Sequence, residues 1–487
     1  MSSLFRWATA LIFGTVIAYV IWTKDDINNC DTSKPLQRKY GSIIYPGLLM
    51  SFFLFLFIVM AIATKARFSF DSFFSLVCGI FISIALFFAL FMLLLPVLRK
   101  YVSAKAIALI WLLPNYLYLT VQTYMALDKP RLVFDLGNLS MQQVSMVWIV
   151  VAAMVLSVYL IRHFIFRHKL LHNARPVENV MIRSLWETMQ TEYEFKKPCI
   201  RIVVSDNTST PLSIGLFRHT TVLVLPHTNY VEEELKLIFK HELIHIIRAD
   251  SEIKMFIAFC NAICWFNPLM WIAMKKCSED LELSCDEYVI EDCSEEKKDL
   301  YANLILSTAG NEAGFTTCLS ASVGALKYRL TNIYKPKRKF SGSVIVGVLM
   351  AAMLLTSGCI AFSYNHQVVA DVFERNVNEE SIDEKSISLA ERNTFSMYSC
   401  KDPDALHDYL MNLKICDITG NYNNKYNEGN TLYCHYQTDE GLVVISVDDN
   451  AFEYAPLYTN GRIDTHIYHL DEPVDWEYIL SLMYPYT

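Results

Sequence analysis

Six apolar stretches commit this chain to a membrane before anything else about it is decided. They run from Trp7 to Trp22, Ile43 to Ala63, Phe73 to Leu98, Ala104 to Leu127, Val144 to Ile161 and Ser343 to Phe362. A bilayer core is about 30 Å thick, which about 20 helical residues can cross. Backbone in lipid must satisfy its own hydrogen bonds, so these stretches are expected to be helices. The first is short and flanked by Arg6 and Lys24, but it lacks a small-residue cleavage site and reads as a span rather than a signal peptide. The fourth contains Pro114 and Asn115, which a packed bundle tolerates better than lipid does. Residues 1–169 therefore form an N-terminal membrane domain of about five spans.

Charge sets the orientation. The strongest basic flanks are Arg162, His163, Arg167, His168, Lys169 and Arg175 after the fifth stretch, and Lys335, Lys337, Arg338 and Lys339 before the last. The positive-inside rule puts everything between them in the cytosol. Lys65 and Arg67 then fall on an outer loop, against the rule. Residues 170–340 form a cytosolic domain, 343–362 the last span, and 363–487 an extracellular part. That last part carries 22 acidic against 7 basic side chains, so a net charge of -8 conceals a tail of -15 and a front of +7. Asp371 to Arg392 reads as a charged stalk, and Thr431 to Val447 with Tyr454 to Tyr486 as a small α+β module. Leu354 to Cys359 resembles a lipoprotein box, but such a box ends an N-terminal signal, so a span is expected. The thirteen cysteines form no disulfide framework; Cys400, Cys416 and Cys434 in the tail read as free or structural thiols.

The chemistry concentrates at His241-Glu242-Leu243-Ile244-His245. This H-E-x-x-H lies in a run from Val231 to Asp250 that reads as one amphipathic helix, with Asn229 and Glu232 as its capping box. Four residues of helix bring both imidazoles to one face, where they can hold one zinc ion. Glu242 lies about 100° round the helix, placed to act on water without being a ligand. Upstream, Cys199 to Ser205 and Thr220 to Leu225 read as strands joined through turn-rich Thr208 to Gly215. A strand edge beside the metal helix offers a place for an extended peptide. Downstream, Phe266-Asn267-Pro268 interrupts an apolar run, and Leu269 to Ile290 forms a second helix with Glu279, Asp280, Glu282 and Asp286. A gluzincin-type site needs a third ligand from such a helix. Glu282 is preferred over Glu279 or Asp280, with Asp286 one turn on as the carboxylate that orients a zinc-bound histidine. Cys285 reads as a small buried residue rather than a thiolate ligand.

These residues, with Arg248 and Asp250 after the motif, Trp265-Phe266-Asn267-Pro268, and Glu282-x-x-Cys285-Asp286-Glu287, resemble the M56 family of membrane metallopeptidases, the antirepressor group that includes the β-lactam sensors of staphylococci. The resemblance covers about Met146 to Ser363. It implies a multi-pass α-helical membrane protein with an inserted α+β gluzincin-like zinc metalloprotease domain and a small extracellular α+β domain. It implies zinc on His241, His245 and Glu282, with Glu242 as catalytic base. The cytosolic substrate would be a transcriptional repressor, the protein itself, or both, in answer to an unidentified extracellular ligand. No direct nucleic-acid contact is expected, and a homodimer is allowed. One departure stands out: no Lys from Lys385 onward has a Ser three residues earlier, so an acylated penicillin-binding domain is not expected. The competing expectation is a binding-only receptor with an inactive protease-like domain. A transporter is disfavoured by the absence of carboxylates or lysines deep in the spans.

Overall fold

The computed structural model describes residues 3–30, 70–115, 132–138, 141–193, 200–291, 293–308, 323–334, 342–356, 360–376, 382–391, 396–418, 430–438, 441–449, 451–458 and 466–485. The second expected span, the far part of the fourth, the basic flank Lys335 to Lys339, and Cys359 lie outside them. The apolar stretches that are described form helices: α1 (Ser3–Cys30), α2 (Phe70–Tyr101), the short α3 (Ala104–Ile110) and α4 (Met141–Leu171), with strand β1 (Leu132–Asp135) ahead of α4. Among the described residues, Ile84–Tyr101 and Met146–Leu171 are long and apolar enough to cross a bilayer, and Trp7–Val20 is a shorter apolar helix.

The described beginning of the fourth stretch is not a lipid-facing span. Ser103 caps α3, its hydroxyl accepting the Ala106 N–H, and a 3-10 turn at Leu113–Asn115 follows the helix. Ala104, Ala106, Ile107 and Ile110 are all buried, so this helix packs inside the protein. Trp111 fixes it: the indole stacks on Phe88, meets Phe91 edge-on at 4.6 Å, and donates its N–H to Asp280 at 2.8 Å.

The segment that follows α4 holds a four-stranded sheet in the order β2 (Arg175–Pro176), β3 (Arg201–Val204), β5 (Val222–Leu225), β4 (Leu212–Ile214), with α5 (Val180–Glu192) beside it. The two expected strands are β3 and β5, and they run parallel. The stretch read as pure turn contains β4, which pairs antiparallel with β5 and forms the sheet's end. Five helices follow: α6 (Glu232–Arg248), α7 (Asp250–Ile263), α8 (Pro268–Ile290), α9 (Glu295–Thr308) and α10 (Val323–Tyr334). Asn267 caps α8 and Pro268 occupies its first turn, where a missing N–H costs nothing. The capping box expected at Asn229 and Glu232 is displaced: Val231 donates its N–H to Glu234 at 2.9 Å. The expected helix from Val231 to Asp250 is α6, ended at Arg248 because Ala249 adopts φ 59° and ψ 40°, and Asp250 opens α7 instead.

Two corrections concern the C-terminal part. The last apolar helix, α11 (Ser343–Thr356), has 14 residues, about 21 Å, and the chain enters strand β6 (Ile360–Val368) within the expected span. Gly347 packs against Gly14 of α1 so closely that a Cβ on either would lie 2.6 Å from the other's carbonyl oxygen. Such backbone-to-backbone approach suits helices that pair without a hydrophobic driving force. The expected stalk is secondary structure instead: α12 (Val369–Asn376) and β7 (Ile382–Glu391). With β8 (Ser396–Cys400), α13 (Pro403–Met411), β9 (Lys414–Ile418), β10 (Asn430–Thr438), β11 (Gly441–Val447), β12 (Ala451–Tyr458), β13 (His466–Leu470), α14 (Trp476–Ser481) and β14 (Met483–Pro485), they complete one ten-stranded sheet. Its order is β1-β6-β9-β13-β12-β11-β10-β7-β8-β14. Strand β1, from the N-terminal region, thus belongs to the C-terminal sheet, paired parallel with β6. The alternating Ile387 and Leu389 of β7 fall opposite Cys434 and Leu432 of β10, which is why a charged stretch can still be a strand.

Candidate metal centre

Helix α6 brings His241 and His245 onto one face, and their Nε2 atoms lie 3.0 Å apart. Helix α8 supplies Glu282, whose Oε2 is 3.7 Å from Nε2 of His241 and 3.5 Å from Nε2 of His245. Ligands at about 2.0–2.2 Å in a tetrahedral zinc site are about 3.3–3.6 Å apart; the separations of 3.0, 3.5 and 3.7 Å here bracket that spacing, so shifts of a few tenths of an ångström would let these atoms hold a zinc ion. The two other candidates, Glu279 and Asp280, face elsewhere. Asp280 takes Arg99 Nε and the Trp111 indole, each at 2.8 Å, and Glu279 accepts from Lys276 at 2.8 Å.

What surrounds the histidines fixes their chemistry. The left-handed turn at Ala249 folds the chain back so that Asp250 meets Nδ1 of His245 at 2.6 Å. Arg248 clamps the same carboxylate and is itself held by Ser284 Oγ and the Leu281 carbonyl, both at 3.0 Å. Nδ1 of His241 meets the Tyr301 hydroxyl of α9 at 2.8 Å; that hydroxyl donates to Asp286 at 2.7 Å, and Arg329 of α10 grips Asp286 with two N–H groups. With both Nδ1 atoms engaged as donors, each Nε2 presents a lone pair towards Glu282. Three acceptors converge, so a proton or a metal cation must lie among them.

The electrostatics agree. Burial opposes charge on Glu282, but His245 and Lys254 outweigh it and hold the carboxyl well below its usual range. Burial likewise opposes ionisation of Asp250, and Arg248 and His245 reverse it. Burial also disfavours charge on His241, yet Cys285 and Glu282 raise it to about 9. The pocket favours positive charge.

Each residue singled out from the sequence can now be placed. His241, His245 and Glu282 come together, and Glu242 is buried between the histidines on α6. Asp286 does not bond a histidine: its nearest approach to His241 is 3.9 Å, and it acts through Tyr301. Cys285 can join a set with His241 and His245, but its Sγ lies 3.4 Å from Nδ1 of His241, the side Tyr301 occupies, and donates to the His241 carbonyl. Sequence reasoning gave no role to Asp250, Tyr301, Arg329 or Lys254, the last 3.3 Å from Glu282. A carboxylate just beyond an H-E-x-x-H helix was the one available signal.

The sequence profile described as BlaR1 peptidase M56 matches residues 133–333. Over those residues the chain is similar to the M56 peptidases. The regulatory protein BlaR1 of Bacillus licheniformis is 27% identical over 161 residues, 33% of this chain and 27% of that protein. The methicillin resistance mecR1 protein of Staphylococcus aureus is 23% identical over 266 residues, 52% of this chain and 43% of that protein. The chain thus aligns with less than half the length of either relative. The M56 match begins in β1 and ends in α10, so it contains the whole metal centre and none of the C-terminal sheet from β6 onward.

Proposed function

We propose that the protein is a membrane-embedded zinc endopeptidase whose metal is held by His241, His245 and Glu282. The observation that carries this reading is the convergence of two Nε2 lone pairs and one carboxylate oxygen, each histidine being fixed from behind. Bound there, zinc would polarise a peptide carbonyl and acidify water. Asp250 and Tyr301 hold the two imidazoles in the Nε2-presenting tautomer. Glu242, buried on the same helix, would take the proton of the attacking water and deliver it to the leaving amine. An extended peptide would be positioned along the end of the β2-β3-β5-β4 sheet.

The likeness to M56 peptidases and to a relative named as a regulatory protein supports a regulatory role, for which the substrate would be a cytosolic transcriptional repressor or the protein itself, with the C-terminal sheet outside the cell as the receiver of the signal. Glu242→Gln tests this. The variant should keep one equivalent of zinc at the centre and lose cleavage of a co-expressed repressor. An unchanged cellular response in that variant would instead identify a binding-only receptor.

A further inference from the structure

A second cluster of metal-ligating side chains lies in the C-terminal sheet, outside the family match. His366, Cys416 and Asp471 each offer a ligand atom, and these atoms lie within 4.8 Å of one another. The fold assembles them from three neighbouring strands. Tyr364 pairs with Asp417 and Gln367 with Ile415, so Asn365 and His366 together oppose Cys416, a β-bulge in β6. Bulges re-aim side chains. Here Asn365 takes a φ of 56°, tolerated by Asn, and its side chain donates to Asp417 at 2.8 Å. His366 is thereby turned so that Nδ1 meets Asp471 at 2.6 Å. From the other side β13 places His469 opposite Cys416, and the Asp471 N–H donates to the Lys414 carbonyl, which aims the Asp471 carboxylate at the cluster. Lys414 is engaged by Glu472 at 2.7 Å and puts no ammonium in the way.

The remaining ring nitrogen is the telling feature. Nε2 of His366 meets Asp135 at 2.7 Å, and the same carboxylate oxygen accepts the Gly137 N–H at 2.7 Å. A metal-bound histidine characteristically gives its other N–H to a carboxylate that fixes the tautomer and raises ligand basicity. Asp135 does this from β1, the strand that leads into α4. We propose that Nδ1 of His366, Sγ of Cys416 and the Asp471 carboxylate form a second transition-metal site, of zinc type, with Asp135 as the positioning carboxylate. One nitrogen, one sulfur and one oxygen suit zinc rather than calcium or magnesium. Cys416 is buried while His366 and Asp471 are partly exposed, so the site is backed by the sheet and open to a fourth ligand from solvent. Occupancy would move the Asp471-facing proton of His366 and the thiol proton of Cys416 to solvent and would tighten β1 against β6.

The test uses full-length protein in detergent, stripped with chelator and dialysed against zinc. His241→Ala with His245→Ala removes the catalytic centre, and this double variant should retain one equivalent. Adding Cys416→Ser or His366→Ala should take it to none, and adding Asp135→Asn should weaken binding about 10–100-fold. With cobalt in place of zinc, in the same background carrying Cys285→Ser, a thiolate-to-metal absorption band should be present and should vanish on Cys416→Ser. A double variant that holds no metal overturns the proposal, as does retained metal indifferent to Cys416 and His366; His366 would then be a charged link between two aspartates. Neither result touches the catalytic reading, which is tested by the equivalent retained in His366→Ala alone.

Discussion

Asp250 holds His245 from behind: its carboxylate lies 2.6 Å from Nδ1 although five residues and a left-handed turn separate the two. That geometry leaves Nε2 as the metal-facing atom. Asp250→Asn keeps the shape and loses the charge. Zinc affinity, measured by competition with a chromogenic chelator, should fall about 10–100-fold, the usual cost of removing an outer carboxylate.

Glu282 should be separable from its acidic neighbours. In a His366→Ala background, which leaves the candidate catalytic centre alone, Glu282→Ala should abolish zinc retention, whereas Glu279→Ala should leave one equivalent, because Glu279 faces Lys276 and Arg99. Metal analysis of both purified double variants decides it. Retention in Glu282→Ala with His366→Ala would move the third ligand to Cys285.

Tyr301 connects His241 to the Asp286–Arg329 pair. Tyr301→Phe removes one hydroxyl and should cost about 1–3 kcal/mol of stability, since it leaves a buried carboxylate with one donor fewer. It should also lower metal affinity. Arg329→Met, which removes the cation paired with Asp286 and lying 3.8 Å from Glu282 but touches no histidine, should reproduce the stability loss in urea titrations with a smaller effect on zinc.

The α1–α11 contact permits no side chain at its centre. Gly347→Leu should lower the unfolding temperature by the equivalent of about 1–3 kcal/mol, the cost of overpacking. Val344→Leu on the same helix should be neutral in the same thermal assay, because Val344 is 70% exposed.

Much of this centre was readable from residue spacing. Two imidazoles four apart must share a helix face, and Asn267-Pro268 must open a helix, so the pairing of His241 with His245 and the helix bearing Glu282 followed from local rules, while spacing alone left Glu282, Glu279 and Asp280 open. Asp250 did not, because a left-handed alanine is strained and no side chain announces it. Tyr301 and Arg329 come from helices whose approach is set by packing alone. The C-terminal sheet was least legible: Asp371 to Arg392 looked like a solvated stalk, and nothing local pairs Leu132 with Ile360, 228 positions later.

Helix α4 begins just after β1, an edge strand of the C-terminal sheet, and near its other end Arg167 donates to the Ile214 and Thr220 carbonyls at β4 of the four-stranded sheet. Its 31 residues make one uninterrupted rod of about 46 Å. A stiff rod fastened at both ends cannot shift at one without displacing the other. Any rearrangement that slides or tilts β1 would therefore be delivered as a mechanical displacement to the rim of the four-stranded sheet, without passing through the candidate metal centre at all.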